Sequence, residues 1–300
     1  MHEELRLRIR GMSFAALAWG PAEGPLALAL HGYPDTARTW RHLGPHLAER
    51  GWRVVAPYTR GYGPTDLAPD GDYGPDQLAA DAAALRQELG GDDRSVLIGH
   101  DWGAVTAYAL AAHSPELFRR MVTIAVPPPR ALAPSLRHLH LLPGQLRRSW
   151  YIFFQLLPVI SERSLDRVIP KLWADWSPGY DARADVADVR ASLDAPGRRT
   201  AALRYYRAAA RHALRSRRST SAPSATRPEP PLLHLYGDQD GCLRPQLSAR
   251  AHRIQRPPDQ TRMIPGTGHF LHLEQPESVN PLIAEFLAPA QQAQHPSRQS

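Results

Sequence analysis

The chain has 300 residues, 43% of them hydrophobic, and a net charge of +7, which is enough for a sizeable core in one large or two small domains. Its N-terminus, MHEELRLRIRG, is charged and lacks an apolar segment, and the longest apolar runs fall short of a membrane span, so no signal peptide and no membrane are expected. One cysteine, Cys242, excludes an internal disulfide and fits a cytoplasmic protein.

In chain order, apolar β-like runs occur at Leu26–Leu30 (LALAL), Arg53–Ala56, Ser95–Ile98 (SVLI) and Met121–Val126. Helical spacing separates them, as over Pro75–Leu89 and in the alanine-rich Ala104–Ala112. Short buried strands alternating with helices predict a parallel sheet with right-handed crossovers. Pro127-Pro128-Pro129 then stops the pattern. About a hundred residues of helical, arginine- and aromatic-rich sequence follow, ending in a polar stretch, Arg215–Pro231, that reads as a flexible link. Strand-like sequence resumes at Leu232–Tyr236 and Arg262–Ile264, with a last helix near Ser278–Leu287 and a polar tail, Pro289–Ser300, expected to be disordered.

The positive charge is concentrated in the helical stretch. Residues 128–228 hold 18 Lys+Arg against 7 Asp+Glu, a net of +11, and the remainder, 18 against 22, is net −4. No recognisable nucleic-acid module accompanies it, so no nucleic-acid partner is expected, and the basic balance reads as a solvated helical surface.

Gly99-His100-Asp101-Trp102-Gly103 lies between the strand SVLI and the alanine-rich helix. A G-x-Nuc-x-G pentapeptide at a strand-to-helix junction makes a sharp, strained turn that pushes the central side chain out over the sheet edge. The helix N-terminus behind it favours negative charge. Asp101 is therefore the candidate nucleophile. His31-Gly32-Tyr33-Pro34, after LALAL, is a turn able to present the Tyr33 N–H toward that elbow, and with the Trp102 N–H it would form an oxyanion hole. Asp240, in Tyr236-Gly237-Asp238-Gln239-Asp240, is preferred over Asp238 as the triad acid. His269, in Gly266-Thr267-Gly268-His269, is preferred over His272 and His31 as the base. A carboxylate nucleophile forms an ester that must be hydrolysed, and His269, oriented by Asp240, would deprotonate the attacking water. His272 is expected to face the last helix and His31 to buttress the oxyanion loop.

The motifs HGYP, RGYG (Arg60–Gly63), GHDWG, GDQD and GTGHFLHLEQPE resemble those of the epoxide hydrolase branch of the α/β-hydrolase fold, which shares its aspartate nucleophile with haloalkane dehalogenases. The resemblance covers residues 1–127 and 230–288. It implies an α/β-hydrolase core with a mostly parallel sheet flanked by helices, and a helical cap, 128–229, inserted between the sixth and seventh core strands. Tyr58 departs from the family, which more often has aspartate there.

Epoxide hydrolases of this branch take ring-opening acids from cap tyrosines. Leu203-Arg204-Tyr205-Tyr206-Arg207 resembles one such motif, with Tyr206 as the acid. Ser149–Gln155 resembles the other, but places Trp150 where the tyrosine is usual and Tyr151 one residue along, so either can fill that position. His31, Pro34, Trp150 and Phe154 are expected to line the pocket. The resemblance implies a small lipophilic epoxide-type substrate, no cofactor and no metal, with a homodimer open. A hydrolytic haloalkane dehalogenase or another Asp-nucleophile hydrolase is the alternative, although Val126–Pro129 has no carboxylate where some dehalogenases place their acid. A non-catalytic ligand-binding protein of the same fold is the third reading.

Overall fold

A computed structural model describes residues 2–133, 135–216 and 230–288. Its strands are β1 (Glu3–Ile9), β2 (Met12–Trp19), β3 (Leu26–Leu30), β4 (Arg53–Pro57), β5 (Val96–His100), β6 (Arg120–Ile124), β7 (Leu232–Gly237) and β8 (Gln260–Ile264). They form a single sheet in the order β1-β2-β4-β3-β5-β6-β7-β8. The pairs from β4 through β8 are parallel, whereas β2 runs antiparallel to both β1 and β4.

The strands predicted from apolar runs are all present. The β1–β2 hairpin is an addition, in the stretch read only as a charged terminus. Leu5, Leu7 and Ile9 alternate there with charged residues, the pattern of a strand with one face covered. Arg10 at φ 49° and Gly11 at φ 75° form a two-residue turn with both central residues left-handed, which matches the twist of paired strands. In the middle of the sheet both faces are covered, and alternate residues enter opposite layers. Leu28 and Leu30 of β3 join one apolar layer, with Leu97 and Leu110. Ala27 and Ala29 join the other, with Ile98 and Val122.

Helices α1 (Leu43–Ala48), α2 (Pro75–Glu88) and α3 (Trp102–His113) belong to the first half. Between β6 and β7 the chain is helical, with α4 (Leu142–Arg148), α5 (Trp150–Gln155), α6 (Ile160–Trp176), α7 (Arg183–Leu193) and α8 (Arg198–Ser216). After β7 come α9 (Pro245–Ser248), α10 (Ala251–Ile254), α11 (Leu271–Glu274) and α12 (Pro276–Leu287). Most of the expected link, 217–229, and the tail, 289–300, lie outside the described residues.

The helical insertion is fastened to the loops at the carboxyl ends of the strands. The Trp173 indole N–H donates to the Pro34 carbonyl at 2.9 Å, and its ring stacks on Phe270 with centroids 3.5 Å apart. The Tyr205 hydroxyl donates to the Arg60 carbonyl at 2.8 Å. Arg60 itself is buried and grips Asp81 of α2 with two bonds, Nε to Oδ2 at 2.5 Å and Nη2 to Oδ1 at 2.6 Å. A paired, hydrogen-bonded guanidinium is the form in which arginine is tolerated in an interior.

Candidate active site

Asp101 joins β5 to α3 with φ 50° and ψ −112°, a conformation that non-glycine residues adopt only where the surroundings impose it. The crowding that imposes it is visible at two glycines. A Cβ on Gly103 would lie 2.1 Å from the Leu30 carbonyl oxygen, and one on Gly32 would lie 2.5 Å from Asp101 Oδ1. Neither position has room for a side chain. The Tyr33 N–H therefore reaches the carboxylate, donating to Asp101 Oδ1 at 2.8 Å. The Trp102 N–H is the first of α3, one of those that no helical carbonyl can satisfy.

The opposite oxygen, Asp101 Oδ2, faces His269 Nε2 at 3.7 Å, and His269 Nδ1 lies 3.0 Å from Asp240 Oδ2. Asp240 is held in turn, its Oδ1 accepting from the Cys242 and Leu243 N–H groups at 2.7 and 3.0 Å. Asp238 is exposed and accepts from the Gly266 N–H at 2.7 Å, so Asp240 is the carboxylate that meets the histidine. Asp101, Asp240 and His269 are all buried. Burial opposes a charge on His269, but Asp240 and Asp101 together outweigh it and push its pKa up to about 10.

Tyr151 and Tyr206 meet above this site. The Tyr206 ring packs edge-on against Tyr33 and Trp102, at 5.2 and 5.1 Å between centroids, and Tyr151 lies 5.8 Å from Tyr206. Burial pushes both hydroxyls well above the usual tyrosine range, so both keep their protons at neutral pH. The Tyr206 hydroxyl has no hydrogen-bond partner of good geometry among the described residues, whereas the Tyr151 hydroxyl lies 3.4 Å from Cys242 Sγ. Tyr205 points elsewhere, its hydroxyl lying between Thr59 Oγ1 and the Arg60 carbonyl.

The remaining candidates lie around these groups. On α5 the buried residues are Tyr151 and Gln155, one turn apart, so Tyr151 and not Trp150 fills the position beside Tyr206. Trp150 and Phe154 sit half-buried on the flank of that helix, packed against each other at 5.9 Å. His31 is locked behind the turn that carries Tyr33. Its Nε2 accepts from the Thr59 N–H at 3.0 Å, which leaves Nδ1–H to donate to the Gly32 carbonyl at 2.8 Å. Pro34 is buried beneath Trp173. His272 bonds Thr39 Oγ1 at 2.7 Å and packs on Trp40.

Two further features have no signal in residue spacing. Asp35, His100 and His272 form a buried cluster behind His269, and Asp35 Oδ2, His100 Nδ1 and His272 Nδ1 have no hydrogen-bond partner among the described residues. Their ligand atoms lie within 4.8 Å of one another, as do those of Asp240, Cys242 and His269. Those are the described groups with donor sets suited to a metal. In the second, Asp240 and His269 are already bonded to each other. Gln155 is the other feature, fully buried with both amide atoms unpartnered.

A carboxylate on a strand–turn–helix elbow, backed by a buried histidine–aspartate pair, defines a hydrolase of the α/β type. A family model described as alpha/beta hydrolase fold matches residues 25–276. The chain is 30% identical over 284 residues to the AB hydrolase superfamily protein YfhM of Bacillus subtilis, covering 92% of this chain and 95% of that protein. It is 29% identical over 300 residues to Epoxide hydrolase 3 of Xenopus tropicalis, covering 95% and 77%. Among solved structures it is similar to epoxide hydrolase VrEH1 from Vigna radiata, with a TM-score of 0.75, 26% identity and coverage of 95% and 98%. It is likewise similar to Cfl2 from Burkholderia cenocepacia, with a TM-score of 0.78, 25% identity and coverage of 96% of each chain. The chain belongs to the α/β-hydrolase fold family, and it is an enzyme.

Proposed function

We propose that this enzyme hydrolyses a small lipophilic epoxide to a vicinal diol through a covalent ester on Asp101. The observation that carries the proposal is the pairing of a carboxylate nucleophile with two buried, protonated tyrosines of the helical insertion, which acts as the cap. An epoxide lacks a good leaving group, so its oxygen must receive a hydrogen bond or a proton as the C–O bond breaks. Tyr206 and Tyr151 supply those hydroxyls. A leaving halide would need no acid.

The geometry of the carboxylate supports a division of labour between its oxygens. Oδ1 accepts from the Tyr33 N–H, and Oδ2 is free to attack carbon. In the ester, Oδ1 becomes the carbonyl oxygen and stays in the hole formed by the Tyr33 and Trp102 N–H groups. Water attacking Cγ then develops negative charge on that oxygen, where the two donors stabilise it. His269 takes the proton of that water, and Asp240 stabilises the resulting cation. Ester formation removes the charge of Asp101, one of the groups that raise the His269 pKa, so the imidazole moves toward its free-base form as the second step needs it.

The purified enzyme, assayed on a panel of terminal and disubstituted epoxides and of haloalkanes, should release diol from epoxides and no halide. Halide release without diol formation would move it to the dehalogenases. Ligand-induced stabilisation with no turnover of either class would make it a binding protein.

A further inference from the structure

Exposed apolar side chains among the described residues are concentrated in one stretch of the chain. Of the twelve large hydrophobic residues exposed among the described residues, nine lie between 132 and 160. Soluble proteins scatter such residues singly, and a contiguous cluster marks an interaction surface.

Leu136, Leu139, Leu142 and Leu146 recur at three- and four-residue spacing along the 3-10 turn Leu136–Leu141 and α4, which follows it without a break. They form one apolar stripe, and Leu136 is 87% exposed. Phe153 and Leu157, four residues apart, add an outward face at α5. The charge of the segment is equally one-sided. No aspartate or glutamate occurs between Glu116 and Glu162. Arg137 and Arg147 lie exposed beside the leucine stripe, with no ion pair among the described residues. A solvated basic surface accounts for the arginines but not for the leucines between them.

We propose that the outer face of residues 132–160 is a docking surface for an anionic lipid bilayer, with the leucine stripe in the interface and Arg137 and Arg147 among the headgroups. Exposed leucine and phenylalanine flanked by arginine, with no acid, is the composition of a helix that lies in a membrane surface. A second copy of the chain fits less well. A two-fold contact would bring the same patch against itself, placing arginine opposite arginine with no carboxylate to answer. Anionic headgroups answer both features at once.

The position of the patch gives it a use, which rests on the epoxide reading above. Helix α5 turns Phe153 outward and Tyr151 inward, and Leu157 lies exposed just beyond its end, so one helix thickness separates the docking face from the tyrosine beside Asp101. A lipophilic substrate dissolved in the bilayer would be delivered at the cap.

Vesicle co-sedimentation of the full chain tests the docking directly and needs no substrate. Vesicles of phosphatidylcholine containing phosphatidylglycerol should bind the protein at low salt, and added salt should release it. Neutral phosphatidylcholine vesicles should bind it weakly. Arg137→Gln/Arg147→Gln should weaken partition about thirtyfold, since each arginine at an anionic surface contributes about fivefold. Leu136→Asp/Leu146→Asp should abolish binding while leaving turnover of a water-soluble epoxide unchanged. Failure to bind vesicles of either composition would overturn the proposal. So would concentration-dependent dimerisation, by sedimentation velocity, that Leu136→Asp/Leu146→Asp removes in the absence of any vesicle binding. Vesicle binding in a protein that turns over no epoxide would uphold the surface and refute only the assigned reaction.

Discussion

Replacing Asp101 with asparagine keeps the shape of the proposed nucleophile and removes its charge, as formation of the proposed ester would. In the intact site two carboxylates flank the imidazole, at 3.7 Å from Nε2 and 3.0 Å from Nδ1, and the His269 pKa stands at about 10. At pH 7 the imidazole is therefore held mainly as the cation. In Asp101→Asn only Asp240 still favours the cation, and burial continues to oppose it, so the pKa should fall by about one unit or more, a tenfold gain in free base. NMR titration of the His269 ring in both proteins measures the shift. The mass of the variant should be checked afterwards, because water activated by His269 could hydrolyse an amide seated where the ester forms. Equal pKa values in the two proteins would refute the idea that alkylation releases the base. Stability follows the same linkage. A pKa raised above the ordinary 6.5 of histidine adds stability that is complete below that pH and is lost as pH rises through about 10. Wild-type melting temperature should therefore decline across that window more steeply than that of Asp101→Asn.

Tyr206→Phe removes a hydroxyl and little volume, and single-turnover alkylation should slow by about 10²–10⁴-fold, with Tyr151→Phe adding to the loss in the double variant. Unchanged alkylation in both single variants and the double variant would remove the support for ring opening by the cap. Tyr205→Phe, one residue away, loses two bonds to the Thr59–Arg60 loop. It should cost about 1–3 kcal/mol in denaturant unfolding, with a far smaller effect on alkylation than Tyr206→Phe. Gly32→Ala sets a methyl group 2.4 Å from Asp101 Cβ, so the oxyanion turn must shift, and both half-reactions should slow together in stopped-flow traces.

Much of this architecture is readable from residue pattern, because buried parallel strands are short apolar runs and the elbow has a strict glycine spacing. Leu26–Leu30 and Leu232–Gly237 are strands of that kind. The β1–β2 hairpin escapes such a reading because its first strand carries charge on alternate residues, and the charge masks the period of two. Asp240 was separable from Asp238 by its distance past the strand end. The helical insertion is harder to read. A one-residue step on a helix turns a side chain by about 100°, so motif counting that favours Trp150 and packing that buries Tyr151 give different residues. The Asp35–His100–His272 cluster joins three distant segments, which no local spacing reveals.

The central claim is that Asp101 attacks carbon, and the fate of oxygen tests it most directly. A single turnover with enzyme in excess, in heavy-oxygen water, should give unlabelled diol and one labelled oxygen on the peptide carrying Asp101, because water attacks the ester carbonyl carbon. With His269→Gln, hydrolysis should slow more than alkylation, and the mass of the substrate should accumulate on that same peptide. Label in the diol from the first turnover, with no adduct in the variant, would mean that water attacks the substrate directly and that Asp101 is not the nucleophile.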